Sequence, residues 1–581
     1  MSYKDNYQEW LNNVNNSQKK ELESIKDNDK EIQERFTIPL AFGTAGMRGT
    51  ICMGISNMNE YTVARATKGL SDYVTTLGDE AKKRGVIISY DTRRMSFEFA
   101  LNTARVLGAN GINVYLYENV SPVPMCSYAV RHLNCIAGVM ITASHNPKEY
   151  NGYKVYGEDG AQMSPEATEV VVGFIEKTPY FGIAKEDVKV TCQSDIKDKD
   201  NEKISDHITV IGKSVDNDYF NEISKLSLSK EAVKKVGSTI KIVYSPIHGS
   251  GYMPVTTMLA RMGISVNVVE EQRLPDTEFS TVKMPNPEQP DALALGIKLA
   301  NSLGSDVVIG TDPDCDRMGV AIRNDNGEFV LLNGNQIGAL LMDYILMRHQ
   351  QMGTLPRNAA VVKTIVTTKL ADKIAKSYGA TVYDVLTGFK FIGEKIKEWE
   401  QNGKHTFMFG YEESYGYLSG THARDKDAVV ASMLFAEMIC YYTSIDVKLY
   451  DKLQEIFKKH GYFVEVSKSF SFKGLEGMQK MQDIMNGFRN TDLKEVAGVK
   501  VVSKMDLKKG EIKYADGTVA KAELPSTNVI KYDLGNDEWL CIRPSGTEPK
   551  LKVYVSTNAA TLVESQKKNA AILEDIAREI E

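Results

Sequence analysis

Between residues 42 and 400, short runs of β-branched residues alternate with amphipathic stretches, and the alternation restarts twice. No other feature restricts the fold as strongly. Strands that pair in parallel need a long crossover between them, and a helix supplies it. In the first block, Val86–Tyr90 reads as a strand, Phe97–Leu107 as a helix closed near Gly108, and Asn113–Tyr117 and Gly138–Thr142 as strands. The second block has strands at Ile240–Tyr244, Ser265–Glu270 and Asp306–Gly310, with helices at Val255–Met262 and Ala292–Leu303. The third has strands at Ala360–Ile365 and Ala380–Asp384, with helices at Lys369–Tyr378 and Gly393–Glu400. This is the pattern of mostly parallel sheets with helices on their faces. The residues differ between blocks, so the repeat is one of topology.

The flanks break the rhythm. Residues 1–35 are rich in Asn, Lys, Glu and Asp, with Trp10, Leu11, Val14, Leu22 and Ile25 near helical spacing. That predicts one or two helices on the body, or a partly ordered arm. Residues 192–206 read as a linker, as does the region 445–465, where a helix, Leu449–Lys459, ends at His460-Gly461. Beyond 462, strands at Phe463–Val466, Trp539–Ile542 and Leu551–Val555 precede one long amphipathic helix, Ala559–Ile580. The expected fold class is α/β: three related mixed α/β domains plus a smaller C-terminal α+β domain. The expected boundaries are 1–205, 206–325, 326–461 and 462–581. A chain of 581 residues has room for about four domains.

Composition narrows function. With 70 Lys+Arg against 76 Asp+Glu, the net charge of −6 speaks against a long nucleic-acid track, though not against a local phosphate site. The longest apolar run, Ala428–Cys440, is interrupted by Glu437 and is too short to cross a bilayer. Met1–Trp10 is polar and lacks the apolar core of a signal peptide. Seven scattered cysteines without a CxxC pair predict buried free thiols in a reducing cytoplasm, with neither disulfide framework nor structural zinc.

Four loops carry chemistry-bearing residues. Thr142-Ala-Ser144-His145-Asn-Pro147 follows an apolar strand and ends in a turn-forming Asn-Pro. Its serine either caps an ordinary turn or presents a hydroxyl at a strand's carboxyl end. Asp312-Pro-Asp314-Cys-Asp316-Arg317 sets three carboxylates at i, i+2 and i+4. Such crowding makes sense around a hard cation, and all-oxygen ligands favour Mg²⁺. An EF-hand would need Gly and Glu where Arg317 and Arg323 stand, so that reading fails. Gly410-Tyr-Glu412-Glu413-Ser414 pairs carboxylates with a hydroxyl, which suits sugar hydroxyls as well as it suits a polar turn. Arg543-Pro-Ser545-Gly546-Thr547-Glu-Pro549 combines a guanidinium, two hydroxyls and exposed backbone N–H groups, the parts of a phosphate nest or of a simple hairpin loop. A weaker fifth stretch, Gly43–Gly49, holds Arg48 among glycines and lacks the GK[ST] of a P-loop.

In this order, over about residues 40 to 560, these segments closely resemble the α-D-phosphohexomutases. The chain length and the stretches Gly388–Ile396 and Tyr411–Leu418 most resemble the phosphoglucomutase-2/phosphopentomutase branch. The family's first motif usually has Leu where Met47 stands, a swap close in volume. The resemblance implies four domains around a central cleft and a phosphorylated serine, Ser144, as phosphoryl donor. It implies Mg²⁺ on Asp312, Asp314, Asp316 and the phosphate of Ser144. Arg48, Lys154 and Arg317 would surround the reacting phosphate, with Lys154 or His145 handling the hydroxyl proton. Glu412 and Ser414 would grip the sugar, and Gly388-Phe389-Lys390 would form a specificity loop. Arg543, Ser545, Gly546, Thr547 and Lys426 would hold the other phosphate. The implied activity interconverts glucose 1-phosphate and glucose 6-phosphate through glucose 1,6-bisphosphate. Pentose 1-phosphates are the alternative substrates, and a catalytically silent sugar-phosphate-binding protein is the alternative of another class. No nucleic acid, membrane or obligate protein partner is implied.

Overall fold

A computed structural model describes residues 2–44, 46–472, 474–544 and 550–581. The chain forms two compact units. The first comprises Met1–Asn333, Ile392–Gly403 and Ser414–Ile445; the second comprises Gly334–Phe391, Lys404–Glu413 and Asp446–Glu581.

The first unit opens with three helices, Tyr3–Asn13, Asn16–Ser24 and Asp29–Phe36. Their apolar stripes bury Trp10, Leu22 and Phe36 completely, so this segment is packed structure rather than an arm. Two sheets follow. In the first, β1 (Met47–Thr50), β2 (Val86–Tyr90), β3 (Val114–Tyr117), β4 (Ala137–Ile141), β5 (Tyr150–Gly157) and β6 (Ile208–Ile211) lie in the order β1-β5-β4-β2-β3-β6. β2 and β4 are buried along their whole length, as continuous apolar runs require of strands covered on both faces. In the second, β7 (Ile242–Ser245), β8 (Val266–Val268), β9 (Val307–Thr311), β10 (Met318–Arg323) and β11 (Phe329–Leu332) lie in the order β11-β10-β9-β7-β8.

In the second unit, β12 (Ala359–Thr364) lies between β13 (Thr381–Val385) and β14 (Thr406–Glu412), parallel to both. A largely antiparallel sheet follows. It comprises β15 (Tyr462–Ser471), β16 (Ser503–Asp506), β17 (Glu511–Tyr514), β18 (Val519–Lys521), β19 (Ile530–Gly535), β20 (Glu538–Pro544) and β21 (Lys550–Ala559). Its order is β15-β21-β20-β19-β16-β17-β18, and the helices Gly474–Asn490 and Leu562–Ile580 cover a core that includes Met485, Leu540, Val553 and Ile572.

Several expectations are corrected by strand pairing. β6 pairs with β3, so the first sheet reaches past residue 205, and β11 pairs with β10, so the second reaches past 325. A strand is defined by its ladder partner, which composition does not reveal. The segment 192–206 carries a short 3₁₀ turn at Gln193–Asp195, buries Ile196 and donates Lys199 N–H to Glu118, so it is tied down rather than free. The last helix starts at Leu562, N-capped by the Thr561 hydroxyl, while Ala559 still belongs to β21. Gly388-Phe389-Lys390 is a loop only at Gly388, because Phe389 and Lys390 open the helix Phe389–Asn402.

Among the described residues no single helix is long and apolar enough to cross a membrane. The helix Ala428–Ser444 is apolar on nearly every side because it is a core helix, buried almost throughout. All seven cysteines are free, and five are buried; Cys52 is half-buried and Cys192 exposed, so the expected burial holds only in part.

Candidate functional site

The same local device recurs at three strand ends. Past the ends of β4, β9 and β14 the chain turns through a non-glycine residue with positive φ: Ser144 at 52°, Cys315 at 50° and Tyr415 at 66°. L-residues rarely adopt this region, so each turn is held by its surroundings rather than by local preference.

The first two turns meet inside the first unit. Ser144 donates from Oγ to Asp312 Oδ2 at 3.0 Å, and His145 Nδ1 lies 3.1 Å from Ser144 Oγ. Asp312 is anchored by its other oxygen, which accepts the backbone N–H groups of Asp316 and Arg317 at 3.1 and 3.0 Å. Lys154, on β5 and nearly buried, donates to Asp314 at 2.9 Å and to Asp316 at 3.4 Å. Lys426 Nζ lies 3.4 Å from Asp316 and 3.0 Å from Asp425. Arg317 pairs with Glu288 at 2.6 Å. Arg48, on β1, donates to the Asn146 side chain at 3.0 Å, which sets it beside the serine turn. Gly46 makes that approach feasible: at φ 79°, a Cβ there would fall 1.8 Å from the Tyr153 carbonyl oxygen.

The electrostatics are those of a buried charged site. Burial, together with Asp314 and Asp316, drives the Asp312 carboxyl well above its usual range. Against the same burial, Lys426, Lys154 and Arg317 hold Asp316 down at about 2. Burial and the cations Arg317, Arg48, Arg93 and Lys154 push His145 well below its ordinary value, so its imidazole is neutral at physiological pH.

Asp312, Asp314 and Asp316 are all buried, and one carboxylate oxygen from each lies within 4.8 Å of the others. Asp314 Oδ1 and Asp316 Oδ1 are buried without a hydrogen-bond partner. Such orphaned acceptors are costly unless a cation takes them. The all-oxygen donor set therefore fits a hard divalent ion such as Mg²⁺.

The second unit holds the remaining described candidates except Ser414, which falls in the first. Glu412, the last residue of β14, accepts the Gly388 N–H at 2.8 Å, with Gly388 at φ 119° just ahead of the helix that Phe389 and Lys390 begin. Arg543, near the end of β20, donates to the Thr387 hydroxyl. Ser545, Gly546 and Thr547 lie outside the described residues. Ser414 is half-buried in the turn after β14.

Glu413 accepts the Thr364 and Thr367 hydroxyls at 3.2 and 3.5 Å, and burial beside the Glu412 carboxylate pushes its pKa up to about 7. A folded pKa above the unfolded value means that folding favours the protonated acid. Its contribution to stability is complete below roughly pH 4.3 and is lost as pH rises through about 7. The melting temperature should therefore fall over that window, and Glu413→Gln should flatten part of the slope. An identical pH profile for the variant would refute this.

Nothing in the spacing flagged Asp91, Arg93 or Glu288, each of which reaches a site loop through a contact remote in sequence. Thr142 stands inside the serine motif, but its bonds to Asp91 and Asp314 are not legible there. The only local signal was the charged Asp91-Thr-Arg93-Arg94 immediately after the apolar β2.

The family descriptions Phosphoglucomutase/phosphomannomutase, alpha/beta/alpha domains I, II and III match residues 39–180, 217–327 and 333–460, and the corresponding C-terminal domain matches 486–577. The phosphoglucomutase of Staphylococcus aureus (strain MSSA476) is 36% identical over 572 residues, 97% of this chain and 98% of that protein. Among solved structures, the open form of the Paramecium parafusin, a phosphoglucomutase, superposes with a TM-score of 0.68 at 18% identity, covering 94% of this chain and 95% of that one. A phosphoglucomutase/phosphomannomutase family protein from Burkholderia thailandensis gives 0.64 at 15% identity, covering 93% and 96%. At those identities the two structures speak to the fold.

Proposed function

The chain belongs to the phosphoglucomutase/phosphomannomutase family, and we propose that it interconverts α-D-glucose 1-phosphate and glucose 6-phosphate with Ser144 as the phosphoryl carrier. The observation that carries this reading is the Ser144 hydroxyl, 3.0 Å from Asp312 and beside two orphaned carboxylate oxygens and a buried lysine. The extended match to phosphoglucomutases favours the hexose over pentose 1-phosphates.

The chemistry follows from the charges. The phosphoryl group on Ser144 Oγ passes to the free hydroxyl of a sugar monophosphate: the serine P–O bond breaks, a sugar P–O bond forms, and the hydroxyl loses its proton. The neutral His145, 3.1 Å from Oγ, accepts that proton or relays it to the departing serine oxygen. Lys154, Arg317 and Arg48 supply positive charge where the transferring oxygens gather it. A Mg²⁺ ion on Asp312, Asp314 and Asp316, with a phosphate oxygen on Ser144, would neutralise those oxygens. The product, glucose 1,6-bisphosphate, turns over, and its other phosphate returns to Ser144. The same bisphosphate is the expected activator of enzyme lacking the serine phosphate.

Glu412, Ser414 and the Gly388-Phe389-Lys390 turn are proposed to hold the sugar. Arg543, Ser545, Gly546, Thr547 and Lys426 are proposed to hold the non-reacting phosphate. Arg543 presents a planar fork that takes two phosphate oxygens, which an ammonium cannot match. Arg543→Lys should therefore raise KM about tenfold while leaving Ser144 phosphorylation intact. Unchanged KM in steady-state kinetics would remove Arg543 from the phosphate site. The seven free thiols support a reducing, cytoplasmic setting.

The deciding experiment compares glucose 1-phosphate with ribose 1-phosphate, each with Mg²⁺ and a trace of glucose 1,6-bisphosphate. The glucose compound should be favoured in kcat/KM by about tenfold or more. Preference for the pentose would overturn the assignment of substrate.

A further inference from the structure

Arg93 lies outside every motif used so far, yet it is the side chain most engaged with the serine turn. It is 3% exposed. Its Nη2 donates to the carbonyl oxygens of Ser144 and Asn146, each at 2.5 Å. Its Nη1 donates to those of Pro147 and Tyr150 at 2.9 and 3.2 Å. One guanidinium thus gathers four carbonyls of the segment 144–150. The buried Asp91 carboxylate lies 3.4 Å from Nε, and the Phe279 ring lies beneath the guanidinium, 5.1 Å from its central carbon.

Asp91 links this clamp to the other side of the serine. It accepts the Thr142 hydroxyl at 2.6 Å and the Ser96 hydroxyl at 2.7 Å. The Thr142 oxygen in turn accepts the Ser144 N–H at 2.8 Å. Ser144 is therefore gripped at its N–H through Thr142 and Asp91, and at its carbonyl by Arg93. Between those two points its φ is 52°, a conformation an L-residue does not hold by itself. Release of either grip would let the backbone return to a common region and swing Oγ away from Asp312.

We propose that Arg93, paired with Asp91, is the positioning residue that holds Ser144 in its left-handed turn, so that Oγ keeps its place against the Asp cluster during phosphoryl transfer. The proposal rests on the reading of Ser144 as the phosphoryl carrier. Arg93 touches no reacting atom; it acts through the backbone of the serine turn. A lysine there keeps the charge and loses the fork, and one ammonium cannot span four carbonyls.

The test uses the full chain. Ser144 is loaded with phosphate by glucose 1,6-bisphosphate, and transfer to glucose 1-phosphate is followed in a single turnover by rapid quench. Arg93→Lys should slow transfer by about 10²-fold, the effect of a displacement near 1 Å, with KM for glucose 1-phosphate within about threefold of wild type. A role in stability alone would lower the melting temperature and leave the transfer rate intact well below it. Thr142→Val releases the N–H grip and should give the same pattern with Mg²⁺ affinity unchanged, a second readout required because the Thr142 hydroxyl also lies 3.2 Å from Asp314 Oδ2, so it stands in if the lysine variant does not fold. The double variant should be no slower than the slower single one, since both act on one torsion. A wild-type transfer rate in folded Arg93→Lys, or in Thr142→Val when the lysine variant fails to fold, overturns the proposal. A wild-type enzyme that takes up no phosphate at Ser144 overturns the carrier reading itself and is told apart by intact mass before any variant is measured.

Discussion

Ser144→Ala should abolish mutase turnover, with a loss on the order of 10⁴-fold or more, because it removes the only atom to which the phosphoryl group attaches between the two half-reactions. The fold should survive. The substitution deletes one oxygen and its hydrogen bond to Asp312 at 3.0 Å, a loss of about 1 kcal/mol. The turn itself is held by contacts that alanine keeps: the Ser144 N–H to Thr142 and the Ser144 carbonyl to Arg93. Intact-mass measurement should find a phosphate on the wild type and none on the variant. Substantial steady-state isomerisation by the alanine enzyme would show that another group carries the phosphoryl.

Asp314→Asn should cut Mg²⁺ affinity by about 10²-fold, measured by titration calorimetry, while changing the stability of the ion-free protein by no more than about 1 kcal/mol. The two effects separate because the cluster is internally strained. Burial and two like neighbours already drive the Asp312 carboxyl well above its usual range. Removing the charge at 314 relieves that repulsion. It also removes one of the two carboxylates that Lys154 bridges, at 2.9 and 3.4 Å, and the two changes offset each other in the absence of the ion. With the ion the loss is uncompensated, because Asp314 Oδ1 has no other partner to satisfy. Wild-type Mg²⁺ affinity in the variant would mean that the three carboxylates are not the metal site.

Much of this was legible in the residues because it is local. Continuous β-branched runs and the 3.6-residue period of apolar residues placed most strands and helices of the three α/β blocks, since both are properties of the element itself. The i, i+2, i+4 spacing of Asp312, Asp314 and Asp316 needed no partner to be read as a cation site, and Arg317 and Arg323 sufficed to discard the EF-hand. What remained hidden depends on distant partners. The sheet membership of β6 and β11 is settled by ladders to β3 and β10. The three N-terminal helices are fastened by a Trp10–Phe36 edge contact that no local pattern announces. Asp91 and Arg93 look like an ordinary polar turn until the chain brings residues 144–150 over them. The sequence by itself thus determined most elements of the three α/β blocks and the spacing of a carboxylate cluster that suits Mg²⁺. Only the tertiary structure decided that Ser144 lies 3.0 Å from Asp312, 168 residues away, and that a buried arginine fixes the serine's backbone. The reason is physical: periodicity records how each residue faces its own element, whereas the satisfaction of buried donors and acceptors is settled only when remote segments meet.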